Sequence, residues 1–159
     1  MKRLLTFILI MISLISLTAC NTDQEKAAVF SFYGENELFR VSNGVVVVGG
    51  QEDVFDGGDL EIALEEKFAN VVSYTATFYT LVTGDRRIIL SNSMSDMSGK
   101  PAKVNGDLGR ASGEGLIVTN KLRNIDELKD NLWFELKTID ANGVENTYQL
   151  QLSVTEISA

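Results

Sequence analysis

Between Val71 and Val82 the residues alternate in kind with period two: Val72, Tyr74, Ala76, Phe78 and Val82 are apolar, Ser73, Thr75 and Thr77 between them are polar, and Thr80 breaks the apolar register. A strand points successive side chains to opposite faces, whereas helical apolar positions recur every three or four residues, so this spacing predicts a long strand with one buried face. The alternation returns near the C-terminus, where Tyr148, Leu150, Leu152 and Val154 interleave with Thr147, Gln149, Gln151, Ser153 and Thr155. It appears again upstream, where Leu60, Ile62 and Leu64 alternate with Glu61 and Glu65.

Further strands are expected at Ala28–Tyr33, Leu38–Val41, Val45–Val48, Arg86–Leu90, Leu116–Thr119 and Trp133–Ile139, which are rich in β-branched and aromatic residues. The unbroken run Val45–Val48 suggests a strand covered on both faces. Asp140-Ala141-Asn142-Gly143 separates Trp133–Ile139 from Val144–Val154 and predicts a hairpin, because Asn-Gly tolerates the positive φ of tight turns. Phe32 to Phe39 likewise reads as an aromatic strand, a Gly-Glu-Asn turn and a second strand. Only residues 124–130, with an Asn cap, early acids and a later lysine, read as a short helical turn. Many short strands joined by polar turns predict an all-β chain: a two-sheet antiparallel sandwich of immunoglobulin-like architecture, with a small closed barrel as the alternative. The core is expected from Phe30, Phe32, Tyr74, Phe78, Phe134, Leu136, Leu150 and Leu152. Residues 91–115, dominated by Ser, Gly, Asn and Asp, resist this scheme and predict a long loop hiding a strand near Lys103–Leu108.

The N-terminus follows different rules. Lys2 and Arg3 precede an apolar run from Leu4 to Leu17, too short for the roughly 20 residues of a spanning helix, and Leu17-Thr18-Ala19-Cys20 then closes it with small residues and the only cysteine. This pattern resembles the lipobox of bacterial lipoproteins. The resemblance implies a signal peptide over 1–19, a lipid on Cys20, a polar tether over 20–27 and a sandwich domain over 28–159, on the extracytoplasmic face of a cell membrane. Two or more acyl chains anchor stably where one does not, and a thiol carrying lipid is neither a nucleophile nor half of a disulfide. Loss of residues 1–19 removes two of the 14 basic residues against 22 acidic ones, so the net charge falls from −8 to −10. Such a surface repels phosphate backbones, which argues against a nucleic-acid partner.

Histidine is absent from the chain, which removes the commonest general base together with Ser-His-Asp and Cys-His chemistry and most zinc sites. No catalytic residues and no cofactor are expected. The densest polar cluster is Glu52, Asp53, Asp56 and Asp59 around Gly57-Gly58, a candidate binding loop between strands. Its oxygens suggest Ca²⁺ at Asp53, Asp56 and Asp59 as a weak alternative, since Ca²⁺ takes six to eight oxygen ligands but this spacing does not follow the helix-loop-helix calcium motif.

The strand–turn–aromatic pattern at Phe32–Phe39, the aromatic-led hairpin at Trp133–Val154 and the lipobox together resemble a group of small lipoproteins of Gram-positive bacteria. The resemblance implies an envelope protein with an immunoglobulin-like β fold and transfers no catalytic or binding residue. A non-catalytic binding or interaction module, attached to the membrane through Cys20 and recognising an envelope protein or polymer, is the expected function. The rivals are an accessory subunit of a membrane complex and a carboxylate-dependent enzyme acting on envelope polysaccharide.

Overall fold

A computed structural model describes residues 27–49, 52–82, 84–95, 101–117 and 126–157; the signal segment, Cys20 and nearly all of the tether lie outside them. The chain forms β1 (Ala28–Glu35), β2 (Phe39–Val48), β3 (Asp53–Asp56), β4 (Asp59–Ile62), α1 (Glu65–Phe68), β5 (Val71–Val82), β6 (Asp85–Ser95), β7 (Gly106–Asp107), β8 (Arg110–Gly113), α2 (Asp126–Asn131), β9 (Leu132–Asp140), β10 (Glu145–Gln151) and β11 (Ser153–Glu156). One sheet runs β11-β1-β2-β3-β8, with β4 also on β2 and β7 on β4; the other runs β10-β9-β5-β6. All pairings are antiparallel. The two-sheet antiparallel sandwich expected from the alternation is what the protein forms, with two short helices instead of one.

The core is an aromatic ladder between the sheets. Phe32 and Phe55 stack at 5.2 Å on the larger sheet, and both meet Phe78 of the smaller one edge-on, at 5.6 and 5.1 Å. Phe78 touches Phe134 at 5.1 Å, Phe134 meets Phe39 at 5.7 Å, and Tyr148 joins Phe39 to Phe68 of α1. Offset and edge-on ring pairs contribute about 0.5–1.5 kcal/mol each beyond area burial, so the ladder ties the sheets together without a disulfide. Gly44 makes room for it: it lies opposite Phe32 in the register, and a Cβ there would run into the Phe32 ring.

Several expected segments are rearranged. Leu38–Val41 and Val45–Val48 belong to one strand, β2, bent at Asn43, the one non-glycine with positive φ (60°) among the described residues. The bend divides the partners of β2: Phe39–Ser42 pairs with β4 and Val45–Val47 with β3. Of the run expected to be covered on both faces, Val46 is fully buried and its neighbours are partly buried. The alternation through Leu64 stops at Ile62, and α1 begins at Glu65. The C-terminal alternation holds, but Leu152 breaks it into two strands that pair in different sheets, β10 with β9 and β11 with β1. Residues 91–95 of the supposed loop extend β6, and β7 and β8 follow. Leu116 and Ile117 lie in a turn and not in a strand. At the start of β5 a bulge between Val71 and Ser73 turns Val71 inward in place of Val72.

Candidate binding surface

The acidic cluster is dispersed by strand formation. Residues 53–56 are β3, so period two turns Asp53 inward with Phe55 and turns Asp56 to the other face. Asp53 is only 6 % exposed, and its two oxygens accept hydrogen bonds from the backbone N–H groups of Ile117 (2.9 Å) and Gly49 (3.3 Å). It is a structural clasp between two chain segments. Asp56 Oδ1 accepts from the Gly58 amide at 3.0 Å, and Asp59 Oδ2 accepts from Asn43 Nδ2 at 2.9 Å across the β2 bend. Glu52 is exposed at the start of β3. The four side chains do not converge, and among the described residues no three acidic or cysteine side chains are placed to hold a metal ion. Cys20 lies outside the described residues.

A different surface is organised for contact: the outward face of the four-stranded sheet. Because directly paired residues share a face, the register sets out four rows. They read Glu145, Ile139, Ser73, Ser95; then Thr147, Lys137, Thr75, Ser93; then Gln149, Glu135, Thr77, Ser91; then Gln151, Trp133, Tyr79, Ile88. Ser, Thr and Gln dominate the face, with aromatic and aliphatic groups at one end. Neighbouring strands bridge their hydroxyls, Thr75 Oγ1 to Ser93 Oγ at 2.8 Å and Thr77 Oγ1 to Ser91 Oγ at 2.9 Å. A depression of about 360 Å³ lies over the first two rows, lined by Ser73, Thr75, Ser93, Ser95, Lys137, Ile139 and Glu145, with Tyr74 and Met94 at its edge.

The third and fourth rows are locked by an ion pair with a buried carboxylate and a partly exposed guanidinium. Arg86 donates from Nη1 and Nη2 to the two carboxylate oxygens of Glu135, each at 2.8 Å, and lies 3.9 Å over the Tyr79 ring. Gln149 Nε2 donates to Glu135 Oε2 at 2.9 Å. Glu135 is 3 % exposed and Tyr79 2 %, so this part of an outward face is sealed from water by its own side chains. The Arg86 hydrogen bonds hold the Glu135 carboxyl below its ordinary pKa against the opposing effect of burial, and Gln149 and the charges of Arg86 and Lys137 act in the same lowering direction. The bond to Glu135 also keeps Arg86 protonated. Burial raises Tyr79, with Arg86 pulling it down and Glu135 pushing it up, so the phenol stays neutral.

The face presents fixed hydroxyls and amides, a half-buried indole and a rigid floor. Sequence reading placed Ser73, Thr75, Thr77, Thr147, Gln149 and Gln151 on the polar side of their strands, but not beside one another. The available signal was the residue type, since a merely solvated face of so acidic a chain would carry more carboxylates. Comparison with protein-family models, curated proteins and solved structures gives no match. The fold defines the chain as a two-sheet β-sandwich with a largely polar outward face on its four-stranded sheet.

Proposed function

We propose that the protein is a lipid-anchored lipoprotein of the bacterial cell envelope, held by Cys20, whose immunoglobulin-like sandwich is a non-catalytic binding module. The anchor rests on Leu17-Thr18-Ala19-Cys20 behind a short apolar segment with a basic start. Among the described residues no helix is long and apolar enough to cross a membrane; in this reading the attachment is the lipid on Cys20. The observation that carries the binding role is the registered outward face of the β10-β9-β5-β6 sheet, rigidified by the Arg86–Glu135–Gln149 network. Rigid, pre-organised polar groups lower the ordering cost of binding.

Cys20→Ala tests the anchor. The variant is expected to leave the membrane fraction or remain unprocessed, and the mature wild-type protein to begin at Cys20 with a diacylglyceryl mass on it. A wild-type chain recovered with an unmodified Cys20 thiol refutes the attachment.

A further inference from the structure

We propose that the outward face of the four-stranded sheet binds a neutral glycan chain, laid along the strand direction from the Thr75–Ser93 hydroxyls to Trp133. The inference rests on the binding-module reading above and specifies its ligand. Of the two bridged pairs, Thr75–Ser93 is exposed, whereas Thr77 of the other is only 5 % exposed. One donor and one lone pair are used in the Thr75–Ser93 bridge, which leaves one O–H and three lone pairs for a ligand. A ligand that satisfies such a set must both donate and accept at every position, as a polyol does. Same-face residues along a strand are about 6.8 Å apart, so the two intervals from the Thr75–Ser93 row to the row of Trp133 give a track of roughly 14 Å.

Charge selects among polyols. The face carries two basic groups, Arg86 and Lys137, and two acidic ones, Glu135 and Glu145, and both acids are paired, at 2.8 Å with Arg86 and at 3.9 Å with Lys137. The face is therefore neutral on a chain of net charge −8. An anionic polymer meets repulsion from the body and finds no free cation on the face, and a cationic partner has carboxylates to bind elsewhere. A neutral, hydroxyl-rich chain matches both the charge and the hydrogen-bonding capacity. Trp133 and Ile88, at the far row, provide the apolar contact that the C–H faces of sugar rings make with aromatic groups.

Trp133 is the only tryptophan in the chain, so its emission reports on this face directly. The full chain in detergent is titrated with glucose oligomers and N-acetylglucosamine oligomers, and with polyglutamate as the anionic control. The expected result is a saturable change in emission with a neutral oligomer, insensitive to salt and absent with polyglutamate. Thr75→Ala/Ser93→Ala, which leaves Trp133 untouched, is expected to weaken binding about tenfold, equivalent to losing one or two ordinary hydrogen bonds, with the melting temperature nearly unchanged. No response to either neutral oligomer, a response unaltered in the double variant, or a stronger response to polyglutamate overturns the proposal. A photo-crosslinker at Thr75 in intact cells separates the two levels of the argument. A glycosidase-sensitive adduct supports the glycan, a protein adduct overturns the glycan but retains the face as a binding surface, and no adduct overturns both.

Discussion

Removing Arg86 should harm the protein more than neutralising Glu135, although both changes break the same ion pair. In Arg86→Ala the Glu135 carboxylate, 3 % exposed in the wild type, loses both guanidinium donors and keeps one bond, from Gln149. Hydrogen bonds to a charged group contribute about 1.5–3 kcal/mol, and an accessible cation–π contact such as that with Tyr79 about 0.5–1 kcal/mol. The Arg86 side chain is 36 % exposed, so water partly replaces it, and the lower ends of these ranges apply. The expected loss is about 2–3 kcal/mol, or about 10 °C in melting temperature at roughly 4 °C per kcal/mol for a domain of this size. Glu135→Gln keeps an oxygen for Arg86 and releases the guanidinium to solvent, so its cost is about 1 kcal/mol. Adding Glu135→Gln to Arg86→Ala should restore stability, because a neutral amide needs no counter-charge. The pH dependence follows from the lowered Glu135 pKa. The pair's contribution is fully present above the ordinary carboxyl value of 4.5 and is lost as pH falls through the lower folded value. Arg86→Ala should abolish that acid-side loss. Urea denaturation of the wild type, both single variants and the double variant, at neutral pH and below 4.5, measures all of this. If Glu135→Gln costs more than Arg86→Ala, or the double variant is the least stable, the buried carboxylate is not what governs this network.

Three other perturbations have defined outcomes. Thr80 is fully buried on the inner face of β5, and its hydroxyl is the one buried side-chain atom among the described residues with no partner, so Thr80→Val should stabilise by about 1 kcal/mol in urea denaturation; destabilisation would reveal a hidden partner. Gly44→Ala should cost about 1–3 kcal/mol by forcing the Phe32 ring aside, and Phe32→Leu in the same chain should recover part of it, so strictly additive losses would contradict the contact. Asp53→Asn leaves one of two buried backbone donors unsatisfied, at about 1–3 kcal/mol, and should speed hydrogen exchange at the Ile117 amide; unchanged exchange there would refute the clasp.

How much of this was legible in the sequence depends on whether local pattern or distant pairing decides each segment. The alternation from Ala76 to Val82 and the Asp140–Gly143 turn are local, and both appear as expected, the former on the inner face, whereas the bulge at the start of β5 exchanges Val71 for Val72 and the outward Thr77 and Tyr79 are buried as well. In the turn, Asp140 Oδ1 accepts from the amides of Asn142 and Val144 at 2.8 and 2.9 Å, while Gly143 takes φ 80°. Ser42-Asn43-Gly44 looks like a turn by the same logic, yet it is a bend inside β2, because β3 and β4 pair on either side of it. Asp53 to Asp59 has turn composition, but pairing with β2 overrides that preference and sends two of its carboxylates to opposite faces. Ser91–Ser95 is a weak strand former held by the edge of β5. The binding face was least legible for the same reason. Each outward Ser, Thr and Gln could be assigned to its strand, but the rows exist only because β9 pairs with β5, and no local pattern specifies that choice.

The register of β11 on β1, in which Phe30 faces Glu156 and Tyr33 faces Ser153, has a consequence in time. The N-terminal strand of the larger sheet cannot gain its outer partner until residues 153–156 are available, so a chain emerging N-terminus first holds Val29-Phe30-Ser31-Phe32-Tyr33 with one strand edge open throughout synthesis. Contacts this far apart in sequence also slow folding. The half-life of that open edge, and not the stability of the finished sandwich, then sets how much of the protein needs chaperone cover while it folds. Loss of the last strand should appear first as aggregation and only second as a lower melting temperature.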